Sequence, residues 1–348
     1  MAIVFDGPVL PDDLTVFVRE VPLPNSLTLN QLLPDKLVNS NRIDFGNITK
    51  TGRTARFRMF DGPLHVAQRD TASTSVVKLP PLSDSLGMGE LERLQLEYAR
   101  TGGTNQAAFV DAIYNDATDL TQNVQRRMEL ARGDVLNDGK FTMLTSEGLL
   151  EADFGLPAGN SVTAGTLWSD TTNSLPISDL ITWVQAYATT LLNGFRPAQM
   201  QPSLRIMNYL LNNVSIRNMF SSLVGAPSRV SPSQLNSVLS DFGLPTLLPP
   251  YDSQVDVDGT FTRTFPDNKL VMVPPDPMNN LGYTAWGVSA TALELVSSAE
   301  VDLSFENAPG IVGVVIKDGP PFRSYTFVDA VGIPALVNPR ALLVATVA

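Results

Sequence analysis

Apolar residues at Phe109, Ile113, Ala117, Leu120, Val124, Met128, Ala131 and Val135 recur at spacings of 4, 4, 3, 4, 4, 3 and 4. That period draws one stripe along a helix. The pattern predicts a helix over about 105–132 with Thr104 as its N-cap. Asp111, Asp116 and Asp119 lie toward its start, and Arg126, Arg127 and Arg132 toward its end, as the helix dipole favours. At ~1.5 Å per residue the 28 residues span roughly 42 Å, so the helix is expected to run as a spine across the subunit. Shorter periodic segments predict helices at 178–193, 203–213 and 231–241, each opening on a serine, with Pro232 at a first helical position and Gly194 and Gly243 as stops. Strand patterns fall at 140–145 continuing through 148–153, around a hairpin turn at Asp258-Gly259, at 269–273, and at 311–316, 323–328 and 342–347. Helices and strands mix without βαβ repetition, which makes the fold class α+β.

The first 41 residues read differently. Pro8, Pro11, Pro22, Pro24 and Pro34 break any sustained helical period, and the expectation is an extended arm. Its Val16, Phe17, Val18, Leu27 and Leu29 need a surface to lie on, such as that of another subunit. Beyond it, residues 55–60 and 75–79 read as strands separated by turn signals, a long two-stranded loop.

Charge sharpens that division. The 348-residue chain has 24 Lys+Arg against 35 Asp+Glu, a net charge of −11. Residues 42–80 hold seven basic side chains (Arg42, Lys50, Arg53, Arg56, Arg58, Arg69, Lys78) against Asp44, Asp61 and Asp70. That segment is therefore +4 and the remainder −15. An acidic body does not gain affinity by neutralising phosphates, so net attraction to DNA or anionic lipid is not expected. No apolar run reaches the ~18 residues of a spanning helix, and the first residues lack the basic start of a signal peptide. The reading is a soluble, unexported chain.

Catalytic patterns are thin. With no Cys and only His65, a thiolate site is ruled out and a triad would depend on one histidine inside the basic loop. Asp252, Asp256, Asp258 and Gly259 hint at a calcium loop, but aligned on the glycine its twelfth position is Phe265, where a bidentate Glu is required. Gly87 to Gly89 lacks the third glycine of a dinucleotide fingerprint, and Gly139-Lys140 is followed by Phe141 where a phosphate loop needs Ser or Thr. The expectation is no enzyme, no cofactor and no metal.

The succession of arm, basic loop, spine helix, sheet and mixed second domain resembles tailed-bacteriophage major capsid proteins of the Hong Kong 97-type fold, and more closely the lambda-type capsid protein E family. The residues that carry this are Arg126-Arg127-Met128-Glu129 leading into Asn137-Asp138-Gly139-Lys140-Phe141-Thr142-Met143, and Phe265-Pro266-Asp267-Asn268 before the apolar strand at 270–273. The resemblance implies an N-arm at 1–41, an E-loop at 42–82, a P domain at 83–176 with 285–348, and an A domain at 177–284. It implies pentamers and hexamers closing into an icosahedral phage head around double-stranded DNA, assembled in the host cytoplasm. Scaffold, portal and decoration proteins are the further partners it suggests, and no membrane. Inter-subunit contacts are expected at Arg53, Arg56, Arg58, Arg69 and Lys78, since a basic loop on an acidic body favours head-to-tail association. The rival classes are a tail or tube component of the virion and a carboxylate-dependent enzyme.

Overall fold

The computed structural model describes residues 9–48, 72–89, 91, 106–145, 148–190, 196–220, 227–297, 308–318 and 323–348. The chain begins with helix α1 (Pro11–Glu20), then strands β1 (Asp35–Leu37), β2 (Arg42–Ile48), β3 (Ala72–Lys78) and β4 (Pro81–Met88). The spine is α2 (Gln106–Asp138), followed by β5 (Lys140–Thr145), β6 (Gly148–Asp153) and β7 (Ser161–Thr163). Next come α3 (Pro176–Thr190), β8 (Gln199–Gln201), α4 (Leu204–Asn212), α5 (Val214–Asn218), α6 (Pro232–Asp241) and β9 (Thr246–Leu247). The last third holds β10 (Gln254–Val257), β11 (Thr260–Arg263), β12 (Lys269–Val273), α7 (Pro277–Asn280), β13 (Gly282–Trp286), α8 (Ala290–Ser297), β14 (Val312–Asp318), β15 (Arg323–Leu336) and β16 (Leu343–Thr346).

Two five-stranded sheets organise these elements. In the first, β15 is the trunk: it pairs with β13 at one end and, at the other, lies between β14 and β4, while β1 joins β13 in parallel at the edge. The second runs β7-β16-β12-β8-β9. It joins strands from 161–163 and 343–346 to strands from 199–201, 246–247 and 269–273, so it bridges the expected division between 83–176/285–348 and 177–284. Hairpins β2–β3, β5–β6 and β10–β11 stand apart from both sheets.

The spine runs six residues further than its pattern predicted, 33 residues in all, or ~50 Å at the α-helical rise. Gly133 does not stop it. A Cβ there would lie 1.6 Å from the carbonyl oxygen of Thr264, so the glycine allows the helix to touch that backbone. The helix ends where Gly139 takes φ +75°. Along the stripe, Ile113, Ala117, Leu120, Val124 and Met128 are buried with Leu14 and Val18 of α1 and with Trp286, Val315, Val328 and Ala330. The side chain of Phe109 lies outside the described residues. The stripe from Ile113 to Met128 thus faces the C-terminal strands, and its last member, Val135, faces the segment after the helix. That segment packs lower down, where Val135 and Leu136 share a core with Phe141, Ala152 and Phe154. It is also an antiparallel hairpin, with Lys140 opposite Asp153, and not one continuing strand.

The N-terminal expectation needs a larger correction. Residues 11–20 are helical: Pro11 fits the first turn, where its missing N–H costs nothing, and Asp12 and Asp13 face the positive end of the dipole. Leu14 and Val18, one turn apart, are fully buried, and Leu27 and Leu29 are buried too, all against this same chain. Phe17 meets Tyr114 edge-on at 4.6 Å. Only Val16 among the five apolar residues points outward, at 58% exposure. In the loop that follows, the partner of β3 is β2, with Arg42 opposite Lys78. The strand expected at 55–60 lies outside the described residues.

Two of the three expected serine caps form, while the helix expected from 178 starts at Pro176 and holds Ser178 inside its first turn. Ser203 accepts from the amide of Ile206, and Ser231 forms a reciprocal capping box with Gln234. Asp258 and Gly259, at φ 51° and 83°, make the turn of the β10–β11 hairpin. The whole chain exposes 19001 Å². A compact monomer of 37.6 kDa exposes roughly 14,000 Å², so much surface is left uncovered by the chain itself.

Candidate assembly surfaces and the node beneath them

On the flank of the apolar stripe, α2 carries a second buried row that is polar: Thr121, Gln125, Glu129 and Arg132. Glu129 and Arg132 have no more than 1% of their side chains exposed and pair with each other at 3.1 Å. The Glu129 carboxylate also accepts from the Leu29 amide at 2.8 Å and the Tyr251 hydroxyl at 3.1 Å. Arg132 donates to Thr284 Oγ1 at 2.9 Å and to Asp35 Oδ1 at 2.5 Å. Trp286 Nε1 donates to the same Asp35 oxygen at 2.8 Å, and the Thr284 hydroxyl donates to the Leu33 carbonyl at 2.8 Å. Four separate stretches of chain meet at this node: 29–35, the spine, the approach to β10–β11, and β13. Each buried charge has its partners, which is the condition under which such a site is tolerated. Burial, and then the charge of Glu129, push the Tyr251 phenol well above its usual range.

Among the grooves that open beside the spine, two border the node and the helix end. One, of about 340 Å³, lies between the end of α1, β1, Trp286 and residues 309–311, with Gln125 in its lining. The other, of about 450 Å³, is mostly apolar and runs along the spine from Met128 to Asn137, bounded by Pro80 and Pro81, the β5–β6 hairpin and the base of β11. Asp134 sits in this second groove. Its carboxyl is raised above the ordinary value by burial, with Asp138 and Glu151 adding to it, and it accepts from the Thr142 amide at 2.7 Å.

Of the residues expected to contact neighbours, Lys78 is exposed at the end of β3, across from the exposed Arg42. Arg53, Arg56, Arg58 and Arg69 lie outside the described residues, as does His65. Asp252 of the calcium-like run pairs instead with Arg263 across the hairpin base. Among the described residues no group of three His, Cys, Asp or Glu is placed to hold a metal ion, and no helix is long and apolar enough to cross a membrane. The node itself went unseen in the sequence. The signal for it was a charged i,i+3 pair, Glu129 and Arg132, adjoining the stripe residues Met128 and Ala131, but its partners lie roughly a hundred or more residues away.

A long spine helix under a sheet, an N-terminal segment strapped across both, a basic hairpin and a second mixed sheet together define a phage capsid subunit of the Hong Kong 97-type α+β fold. Solved structures agree. A candidate prophage capsid protein from E. coli CFT073 superposes with a TM-score of 0.60 at 15% identity, covering 96% of this chain and 97% of that one. A phage-related protein from Bordetella bronchiseptica RB50 does so with a TM-score of 0.55 at 13% identity, covering 99% and 97%. The capsid of a native GTA particle gives 0.50 at 11% identity, covering 94% and 92%. The sequence matches none of the curated proteins with which it was compared. The family model for phage major capsid protein E matches residues 11–290, and the chain belongs to that family. It is a major capsid protein, a component of the virion that forms the shell of the phage head.

Proposed function

We propose that copies of this chain associate head-to-tail as pentamers and hexamers that close into an icosahedral head around double-stranded DNA, in the host cytoplasm. Residues 42–82 act as the loop that reaches a neighbour, 1–41 as the N-terminal arm, 83–176 with 285–348 as the P domain and 177–284 as the A domain. The chain works as a structural protein without catalysis or cofactor. Scaffold, portal and decoration proteins are its further partners, and the packaged DNA is enclosed without sequence-specific contact. The observation that carries this reading is the segregation of charge, +4 in residues 42–80 against −15 elsewhere, on a chain whose own folding leaves an excess of surface exposed. Opposite charges on different parts of one molecule favour a heterologous interface that repeats around a ring. An acidic body also avoids adhering to the enclosed DNA.

The test is the double substitution Arg56→Glu and Arg58→Glu. Its subunits are expected to stay folded by circular dichroism while sedimentation shows closed shells reduced at least about tenfold, with wild-type assembly depending on salt. Assembly equal to wild type across a range of salt concentrations would remove the electrostatic part of the reading.

A further inference from the structure

Strand β1 is the outer strand of the first sheet, with β13 on one side and no strand on the other among the described residues. The Thr284 amide donates to the Pro34 carbonyl and the Val38 amide to the Trp286 carbonyl, so by alternation the N–H and C=O groups of Asp35 and Leu37 point away from β13. All three residues of β1 are exposed, Leu37 at 63%. This edge borders the 340 Å³ groove. Inside the groove, Gln125 is only 8% exposed; its Nε2 donates to the Val21 carbonyl at 3.2 Å, while its Oε1 has no partner. Asp35 spends Oδ1 on Arg132 and Trp286, which leaves Oδ2, on a side chain 38% exposed, as a further acceptor. The node holds two carboxylates, buried Glu129 and half-exposed Asp35, for the one guanidinium of Arg132. At the rim, Arg19 is turned aside and donates through Nε to the Ile311 carbonyl. An open strand edge beside unsatisfied acceptors calls for an extended segment that carries donors.

We infer that residues 55–60 of a second copy add to the free edge of β1 as a new strand. The sequence Ala55-Arg56-Phe57-Arg58-Met59-Phe60 alternates, so an extended backbone puts Arg56, Arg58 and Phe60 on one face and Ala55, Phe57 and Met59 on the other. Main-chain hydrogen bonds to Asp35 and Leu37 seat it. Arg56 and Arg58 reach Asp35 Oδ2 and Gln125 Oε1 on the groove face, while Phe57 and Met59 cover Lys36 and Tyr283, where the Lys36 ammonium already stacks over the Tyr283 ring at 4.4 Å. The inference rests on the reading that the basic loop reaches a neighbour, and it names the surface that receives it.

The chain has no cysteine, so an introduced pair reports without background. Leu37→Cys is combined in turn with a cysteine at each of positions 55–60, and assembled particles are oxidised and run without reductant. Covalent ladders are expected from the one of positions 56, 58 and 60 that lies opposite Leu37 and from none of 55, 57 and 59, because a disulfide needs Cβ atoms ~4 Å apart and same-face neighbours along a strand are ~7 Å apart. Phe60→Cys keeps both arginines. In parallel, the wild-type protein is followed by amide hydrogen exchange, where Asp35 and Leu37 should slow by on the order of tenfold or more in shells relative to free subunits. Shells that form without cross-links at any of the six positions, ladders without alternation, or amides that exchange equally in both states overturn the inference and leave the capsid reading standing. Wild-type subunits that never close into shells overturn the reading beneath it.

Discussion

Replacing Arg132 by Leu tests whether the node holds the four chain segments together. The substitution removes the guanidinium and leaves the remaining groups in unequal positions. Asp35 keeps its bond from Trp286 and is 38% exposed, so water can take the place of Arg132. Thr284 keeps its bond to the Leu33 carbonyl. Glu129 has no such escape: its side chain is 0% exposed, and only the Leu29 amide and the Tyr251 hydroxyl remain to it. Removing one member of a buried ion pair costs about 3 to 5 kcal/mol, most of it from the charge left behind. The double variant Glu129→Leu/Arg132→Leu removes that charge as well. Its main debt is the Leu29 amide, an unsatisfied buried donor worth about 1 to 3 kcal/mol, since Tyr251 still has Thr264 Oγ1 at 2.7 Å. The double variant is therefore expected to be more stable than Arg132→Leu alone by about 1 kcal/mol or more. Urea titration of unassembled subunits reads this out, followed by tryptophan fluorescence, to which Trp286 beside the node contributes. A single variant within about 1 kcal/mol of wild type, or a double variant that loses as much as the two single losses added, would refute the reasoning.

Two further outcomes follow from the packing. Leu120→Ala, at 1% exposure in the spine stripe, should cost about 2 to 5 kcal/mol through the cavity it leaves and yield little soluble subunit, which urea midpoints and soluble yield will show. Burial raises the phenols of Tyr187 and Tyr251 above the ordinary value of 10.0. The folded state then binds protons that the unfolded state releases, so this contribution is intact below pH ~10 and declines as pH rises beyond it. Ultraviolet titration should show part of the tyrosinate signal appearing only with unfolding; all seven tyrosines ionising together near pH 10 in a folded chain would contradict the burial argument.

The spine, the capped helices and the Asp258-Gly259 hairpin were legible because each rests on residues close in sequence. A helical period, a serine cap or a turn dipeptide acts within a few positions. Helix α1 was obscured because its buried face is only two large residues, Leu14 and Val18, and because prolines on either side suggested extended chain. Pro11 in fact starts the helix. The spine's last turns, 133–138, fell outside the bounds expected for it, and the role of Gly133 in meeting the Thr264 carbonyl depends on a residue far along the chain. The same separation hid the node: Glu129 and Arg132 are close in sequence, but Leu29, Asp35, Tyr251 and Thr284 come to them from far along the chain. The groove beside β1 depends on five segments at once, and no local pattern announces it. The loop charge, by contrast, could be counted directly, since segregation along the chain needs no fold to be seen.

Electron microscopy of the purified full-length chain tests the central claim most directly. The account predicts closed icosahedral shells, or the pentameric and hexameric rings that build them, with a wall one subunit thick. Tubes would point to a tail component, and a uniform population of small discrete particles under all assembly conditions would contradict the account.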